Sequence, residues 1–260
     1  ATEIETALGD ADIDTLVIAT RHDAHARQTL AALRAGKHVF CEKPLCLTLD
    51  ELSEIEKEAR ARPHQRLMVG FNRRFAPLLV KAKALLSPLS GPKAMIMTVN
   101  AGAIPAEHWT QDPAVGGGRL LGEACHFIDL LRHLAGANIA SVDVTPLAGA
   151  LRDSAGITLR FEDGSTGAIH YLANGHKAFP KERLDVFSEG RILQLDNFRT
   201  LKGFGFPGFS SQSAWRQDKG QFACAKAFVD AVRSGGPSPI PLEDIIEVSS
   251  VAVRVAEAAR

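Results

Sequence analysis

The 260-residue chain lacks an excess of charge of either sign: thirty Lys and Arg balance thirty Asp and Glu. With no global field, nothing draws it to nucleic acid or to an anionic membrane surface. No apolar run approaches the roughly 18 residues that suggest a membrane-crossing helix, and no signal peptide is visible. The four cysteines, Cys41, Cys46, Cys125 and Cys224, have neither C-x-x-C nor zinc-ligand spacing. They read as reduced, buried small hydrophobes of a cytoplasmic protein. Nine histidines include no H-E-x-x-H pattern, so no metal is expected. A G-x-S-x-G nucleophile elbow is missing too. No G-x-G-x-x-G turn precedes Asp14, and no buried strand leads into Gly116-Gly117-Gly118. The usual pyrophosphate cradle of a dinucleotide fold is therefore not among these residues. The chain opens at Ala1 in helix-like sequence, and is expected to be a piece of a longer polypeptide.

What is present reads as an ordinary globular chain, 45% hydrophobic and 23% charged. Residues 14–19 (DTLVIA) form a continuous apolar run, expected of a parallel strand buried on both faces. An alanine- and leucine-rich helix follows and stops at Gly36. A second strand covers 39–41. Thr48 to Glu51 has capping-box form and opens a helix with Leu52, Ile55 and Ala59 on one face. A third strand spans 67–71. Strand alternating with helix at this spacing implies a parallel sheet.

After residue 72 the character changes. A helix at 77–86 and a strand at 93–101 lead to a loop carrying His108 and Trp109. Residues 119–135 form an amphipathic helix with Leu120, Ala124, Phe127, Ile128, Leu131 and Leu134 as its apolar stripe. Between 141 and 204, six short alternating runs separated by turn signals predict an antiparallel sheet. Two helices, at about 217–234 and 242–259, close the chain.

Two places can carry chemistry. Lys43 ends the second strand, where ligands of open α/β sheets gather, and Pro44 restricts its backbone; the alternative is a solvated Glu42–Lys43 exit from the strand. On the 119–135 helix, Gly122, His126, Asp129 and His133 share a face, and Glu123 lies about 60° round from His126. Carboxylates on either side would raise the His126 pKa and make it a tuned general base. The alternative there is a solvated polar face.

The segments ATRHDAH (19–25), AGKHVFCEKP (35–44), GFNRRF (70–75) and Gly116-Gly117-Gly118 through His126-Phe127-Ile128-Asp129 resemble four signatures, in order and in register, of the glucose–fructose oxidoreductase/inositol dehydrogenase/MocA-like family. Within it, the chain is most similar to the C-terminal module of proteins in which an alcohol dehydrogenase-like region comes first. The resemblance implies NAD or NADP as cofactor and a catalytic Lys43 preceding a cis bond to Pro44. It makes His126 the acid/base. Thr20, Arg21, His22, His25, Glu42, Lys43 and Pro44 would face the nicotinamide ribose, and Arg73, Trp109 and Asp129 would meet substrate. Family members commonly carry aspartate where this chain has Gly122, and Glu123 is the candidate replacement.

The expected architecture is an incomplete Rossmann-type parallel sheet (1–72) followed by an α+β domain (73–260) with an open, mainly antiparallel sheet packed on helices. The expected function is hydride transfer between NAD(P) and a hydroxyl or carbonyl of a sugar, sugar-nucleotide or polyol-like small molecule. The open sheet and the resemblance both favour a homo-oligomer. A scaffold that keeps the fold without turning over cofactor is the alternative, along with a weaker one, NAD-using glycoside cleavage on the same fold.

Overall fold

A computed structural model describes residues 4–149 and 153–260. After a short helix α1 (Ile4–Gly9), strands β1 (Thr15–Ile18), β2 (His38–Cys41) and β3 (Leu67–Val69) pair in parallel in the order β1-β2-β3. Helices α2 (His22–Arg34) and α3 (Leu49–Arg60) make the two connections. The capping box is formed: Thr48 accepts from the Glu51 N–H, and the Glu51 carboxylate accepts from the Thr48 N–H. All three residues of β3 are buried, as are Val39, Phe40 and Cys41 of β2, but β1 departs from the expected burial on both faces: it lies at the sheet edge and its Val17 is 68% exposed.

A 3-10 turn (Asn72–Phe75) and α4 (Pro77–Leu86) lead into β4 (Ala94–Asn100). Beyond come α5 (Cys125–Ala135), β5 (Ile139–Pro146), β6 (Ala155–Phe161), β7 (Thr166–Leu172), β8 (Glu182–Ser188), β9 (Arg191–Asp196), β10 (Thr200–Phe204) and β11 (Ser211–Ser213). They make an eight-stranded sheet in the order β11-β10-β9-β8-β4-β7-β6-β5. Every neighbouring pair is antiparallel except β4 with β7. The strand at 93–101 thus becomes the centre of the sheet. The short edge strand β11, with all three residues exposed, has no apolar alternation to announce it.

One face of this sheet packs on helices, and α6 (Gln221–Ser234) and α7 (Leu242–Ala258) finish the chain. Buried apolar side chains form one cluster that reaches from β1 and β2 through α5 and α7 to β10. The other sheet face leaves Ile96 and Phe187 exposed. Among the described residues, no helix is long and apolar enough to cross a membrane.

The expected helix at 119–135 is not uniform. Leu120–Ala124 form a π-helical turn, and only Cys125–Ala135 continue as α-helix. A π turn closes i→i+5 hydrogen bonds and widens the spiral. Angles drawn on an α-helical wheel across Glu123 and His126 therefore do not hold.

Candidate active site

Lys43 leaves the carboxyl end of β2 half-buried, its Nζ donating to the Gly122 carbonyl at 2.9 Å, and the Lys43–Pro44 bond is cis. A Cβ at Gly122 would lie 2.9 Å from Cε1 of His22, so the imidazole of His22 occupies the volume a larger residue would need. His22 is buried, its Nδ1 bonds the Gly116 carbonyl at 2.8 Å, and Trp109 meets it edge-on at 4.7 Å between ring centroids. Burial pushes the His22 pKa down to about 4, with Lys43 and His25 adding to the effect against the hydrogen bond to Gly116.

His25, buried in the same α2 turn, sits between two carbonyls, with Nδ1 2.7 Å from Pro44 O and Nε2 3.1 Å from Thr20 O. It ties the β1 exit to the β2 exit, so its ring nitrogens are already engaged by protein. Thr20 and Arg21 are exposed, and Thr20 Oγ1 donates to Gln28 at 2.7 Å.

A cavity of about 390 Å³ opens beside Lys43, lined by Phe40, Glu42, Gly70, Asn72, Arg73, His126, Lys219, Gln221, Cys224 and Ala225. It lies where β2 and β3 end, as expected of an open α/β sheet. His126 is 6% exposed and its Nδ1 is buried without a hydrogen-bond partner among the described residues. Its pKa lies well below the ordinary value. Burial is the first cause, and Arg73, Lys43, Lys181 and Lys219 add positive charge. This reverses the expectation that neighbouring carboxylates would raise it.

The carboxylates expected beside His126 are turned to other partners. Glu123 accepts from Tyr171 Oη and Lys181 Nζ, with Arg119 3.6 Å away. Burial alone would raise its pKa, but Lys181, Tyr171 and Arg119 outweigh it and hold the carboxyl below the usual range. Asp129 is fully buried and grips Arg74 through both oxygens, away from the cavity. Arg74 continues to Asp244 of α7 at 3.2 Å, and Arg132 binds Asp244 and Glu247. Asp129 thus joins α5 to the 3-10 turn through Arg74.

Arg73 does line the cavity, yet its Nε and Nη2 are held by Glu182 at 3.1 and 2.9 Å, and its Nη1 lies 3.4 Å from Asn72. Lys219 also donates to Glu182, at 2.7 Å. These two cations, against the opposing effect of burial, keep the Glu182 carboxyl below its usual pKa range. Glu182, Lys219 and Lys181 were missed in the sequence. One signal was available: Glu182 falls on the buried register of β8, with Leu184 and Val186, and a carboxylate in that position calls for a buried cation.

Residues 1–71 match the model of an oxidoreductase family with an NAD-binding Rossmann fold, and 93–193 match the GFO/IDH/MocA C-terminal domain. The chain belongs to the GFO/IDH/MocA oxidoreductase family. Members are NAD(P)-dependent dehydrogenases and reductases. The 1,5-anhydro-D-fructose reductase of Ensifer adhaerens is 32% identical over 189 residues, 68% of this chain and 54% of that one. A Bacillus subtilis oxidoreductase is 32% identical over 74% of this chain and 58% of its own length. The chain thus spans between half and three-fifths of these two relatives. The myo-inositol 2-dehydrogenase of Thermotoga maritima is 28% identical over 257 residues, 90% of this chain and 74% of that enzyme. Levoglucosan dehydrogenase in complex with NADH and levoglucosan superposes on all of this chain and 81% of its own, with a TM-score of 0.87 at 22% identity. That likeness shows that the fold is shared.

Proposed function

We propose that this GFO/IDH/MocA chain catalyses hydride transfer between NAD(P) and a hydroxyl or carbonyl carbon of a sugar, sugar-nucleotide or polyol-like substrate. One observation carries the reading: a positioned ammonium, Lys43, and a buried, uncharged imidazole, His126, line a single cavity at the carboxyl end of the parallel strands. The relatives named for anhydro-sugar and inositol substrates support the substrate class.

The cavity fits the nicotinamide end of the cofactor. It offers open volume, one ammonium, the carboxylate of Glu42 as an acceptor for ribose hydroxyls, and a neighbouring turn from Thr20 to His22 fixed by His25. Thr20, Arg21, His22, Glu42, Lys43 and Pro44 would surround that end, and the bound cofactor supplies the hydride acceptor or donor. Lys43 has one N–H on Gly122, which leaves others to point at the substrate oxygen and stabilise developing negative charge there. His126, neutral at physiological pH, takes the hydroxyl proton in the oxidation and returns it in the reduction. Glu123 acts as a brace for Lys181 and Tyr171, and Trp109 packs edge-on against His22.

We place the boundary between the nucleotide-facing and substrate-facing parts after residue 72. The exposed Ile96 and Phe187 face is the surface through which two copies would associate.

The test is nicotinamide reduction by the natural polypeptide given NAD+ or NADP+ with a panel of polyols and sugars. Turnover is expected for at least one, with kcat/KM falling on the acid side of the ordinary histidine range as His126 protonates. Absence of NADH binding would instead favour a scaffold that keeps the fold.

A further inference from the structure

Charge around the cavity does not cancel, and the excess points to the substrate. Three cations line it, Lys43, Arg73 and Lys219, while Glu42 lines it and Glu182 stands behind Arg73 and Lys219. Lys181 is matched by Glu123. Asp218 is exposed and caps the Gly220 N–H at 2.7 Å, where solvent screens it. Three positive charges against two negative ones leave an excess of positive charge at a cavity whose Lys43 and Lys219 are half-buried. An uncompensated charge of that kind is costly unless a partner arrives.

Lys219 is the residue built to meet that partner. Its carbonyl accepts from Asn72 Nδ2 at 2.7 Å, and its ammonium rests on Glu182. Next to it, Gly220 (φ 83°) packs so tightly on the 3-10 turn that a Cβ would come within 2.4 Å of the Asn72 carbonyl oxygen. This left-handed glycine also delays the last-but-one helix, expected from about 217, until Gln221. Lys219 is thus fixed at both ends, and among the described residues one of its three ammonium protons is engaged, by Glu182. Arg73 is different, because its guanidinium is turned to protein, with Nε and Nη2 on Glu182 and Nη1 toward Asn72. The first turn of α6, uncapped by any side chain, also lines the cavity through Gln221 and Cys224, and helix N-termini favour negative charge.

Resting on the oxidoreductase reading above, we infer that the substrate is a polyhydroxylated monocarboxylate, a sugar acid, with its carboxylate on Lys219 and its reacting hydroxyl between Lys43 and His126. Binding the anion would also offset the cations that depress His126 and bring it closer to the pH at which a base works best.

The experiment compares matched pairs on the natural polypeptide in the presence of NADH, by calorimetry: gluconate with sorbitol, glucuronate with glucose, galacturonate with galactose. At least one acid is expected to bind about tenfold or more tightly than its neutral partner, since a hydrogen bond to a charged group is worth that much. Lys219→Gln is expected to remove the preference, Lys219→Arg to keep most of it, and neither to weaken neutral ligands. The inference is overturned if no acid outbinds its neutral partner, or if Lys219→Gln weakens both alike. Acid binding without any reduction of NAD(P)+ would sink the dehydrogenase reading and leave the anion site standing.

Discussion

Arg73 and Arg74 are neighbours in the chain, both buried, and each holds a carboxylate with two donors. They nevertheless build different things. Arg74 reaches Asp129 and Asp244, and with Arg132 and Glu247 joins the 3-10 turn to α5 and α7. That network is closed, with three carboxylates for two guanidinium groups. Arg73 reaches Glu182, which it shares with Lys219, so that network carries more cation than anion and opens on a cavity. A closed network holds helices. An open one leaves charge for a ligand.

The comparison breaks most visibly at Arg74. Arg74→Met strands Asp129 and Asp244 as buried carboxylates, which costs about 3–5 kcal/mol. Urea denaturation should show that loss, while the pH profile of whatever activity remains stays in place.

Glu182→Gln is the counterpart. The amide keeps one of the two accepting oxygens, so the stability loss falls at the lower end of the same range, about 3 kcal/mol. Removing the negative charge leaves Arg73 and Lys219 unbalanced beside His126, so the acid limb of the kcat/KM profile moves to lower pH.

Two further histidines, His22 (buried) and His133 (half-buried, beside Arg74), are neutral in the fold. Burial and nearby cations push His22 down to about 4 and His133, beside Arg74, Lys83 and Arg132, to about 3. The unfolded chain takes up these protons near the ordinary value of 6.5. Stability is therefore complete above that pH and falls as pH drops below it. The loss from His22 levels off near pH 4, and that from His133 continues to about 3. Urea midpoints across that range should fall less steeply in His22→Gln and in His133→Gln than in the parent protein.

The smallest effect belongs to neither network. Thr48→Ala removes the α3 cap at a cost of about 1 kcal/mol. It sets the scale of a surface contact against which the two arginine variants can be judged, and should leave the pH profile unmoved.

Much of the fold could be read in advance because period and local caps encode it. The runs at 166–172, 191–196 and 200–204 became β7, β9 and β10 over the same residues, and the Thr48–Glu51 box formed as spelled out. Lys43 and His126, singled out from strand exit and helix face, do line one cavity. What escaped was long-range pairing. Glu182 lies 109 residues from Arg73 and 37 from Lys219, and no local pattern links them. The π turn at Leu120–Ala124 misled differently, since it rotates Glu123 relative to His126 in a way that a 3.6-residue period cannot describe. Asp129 looked like a partner for substrate because it shares a helix with His126, but Arg74, from another element, claims it.

The central claim is that Lys43 and His126 act on one substrate oxygen. Its most direct test is the turnover of Lys43→Met in the natural polypeptide, measured beside NADH affinity and urea stability. The account predicts a fall in kcat of about a hundredfold or more, with NADH still bound and stability close to that of the parent. Turnover within about twofold of the parent, well short of even a tenfold loss, would contradict it.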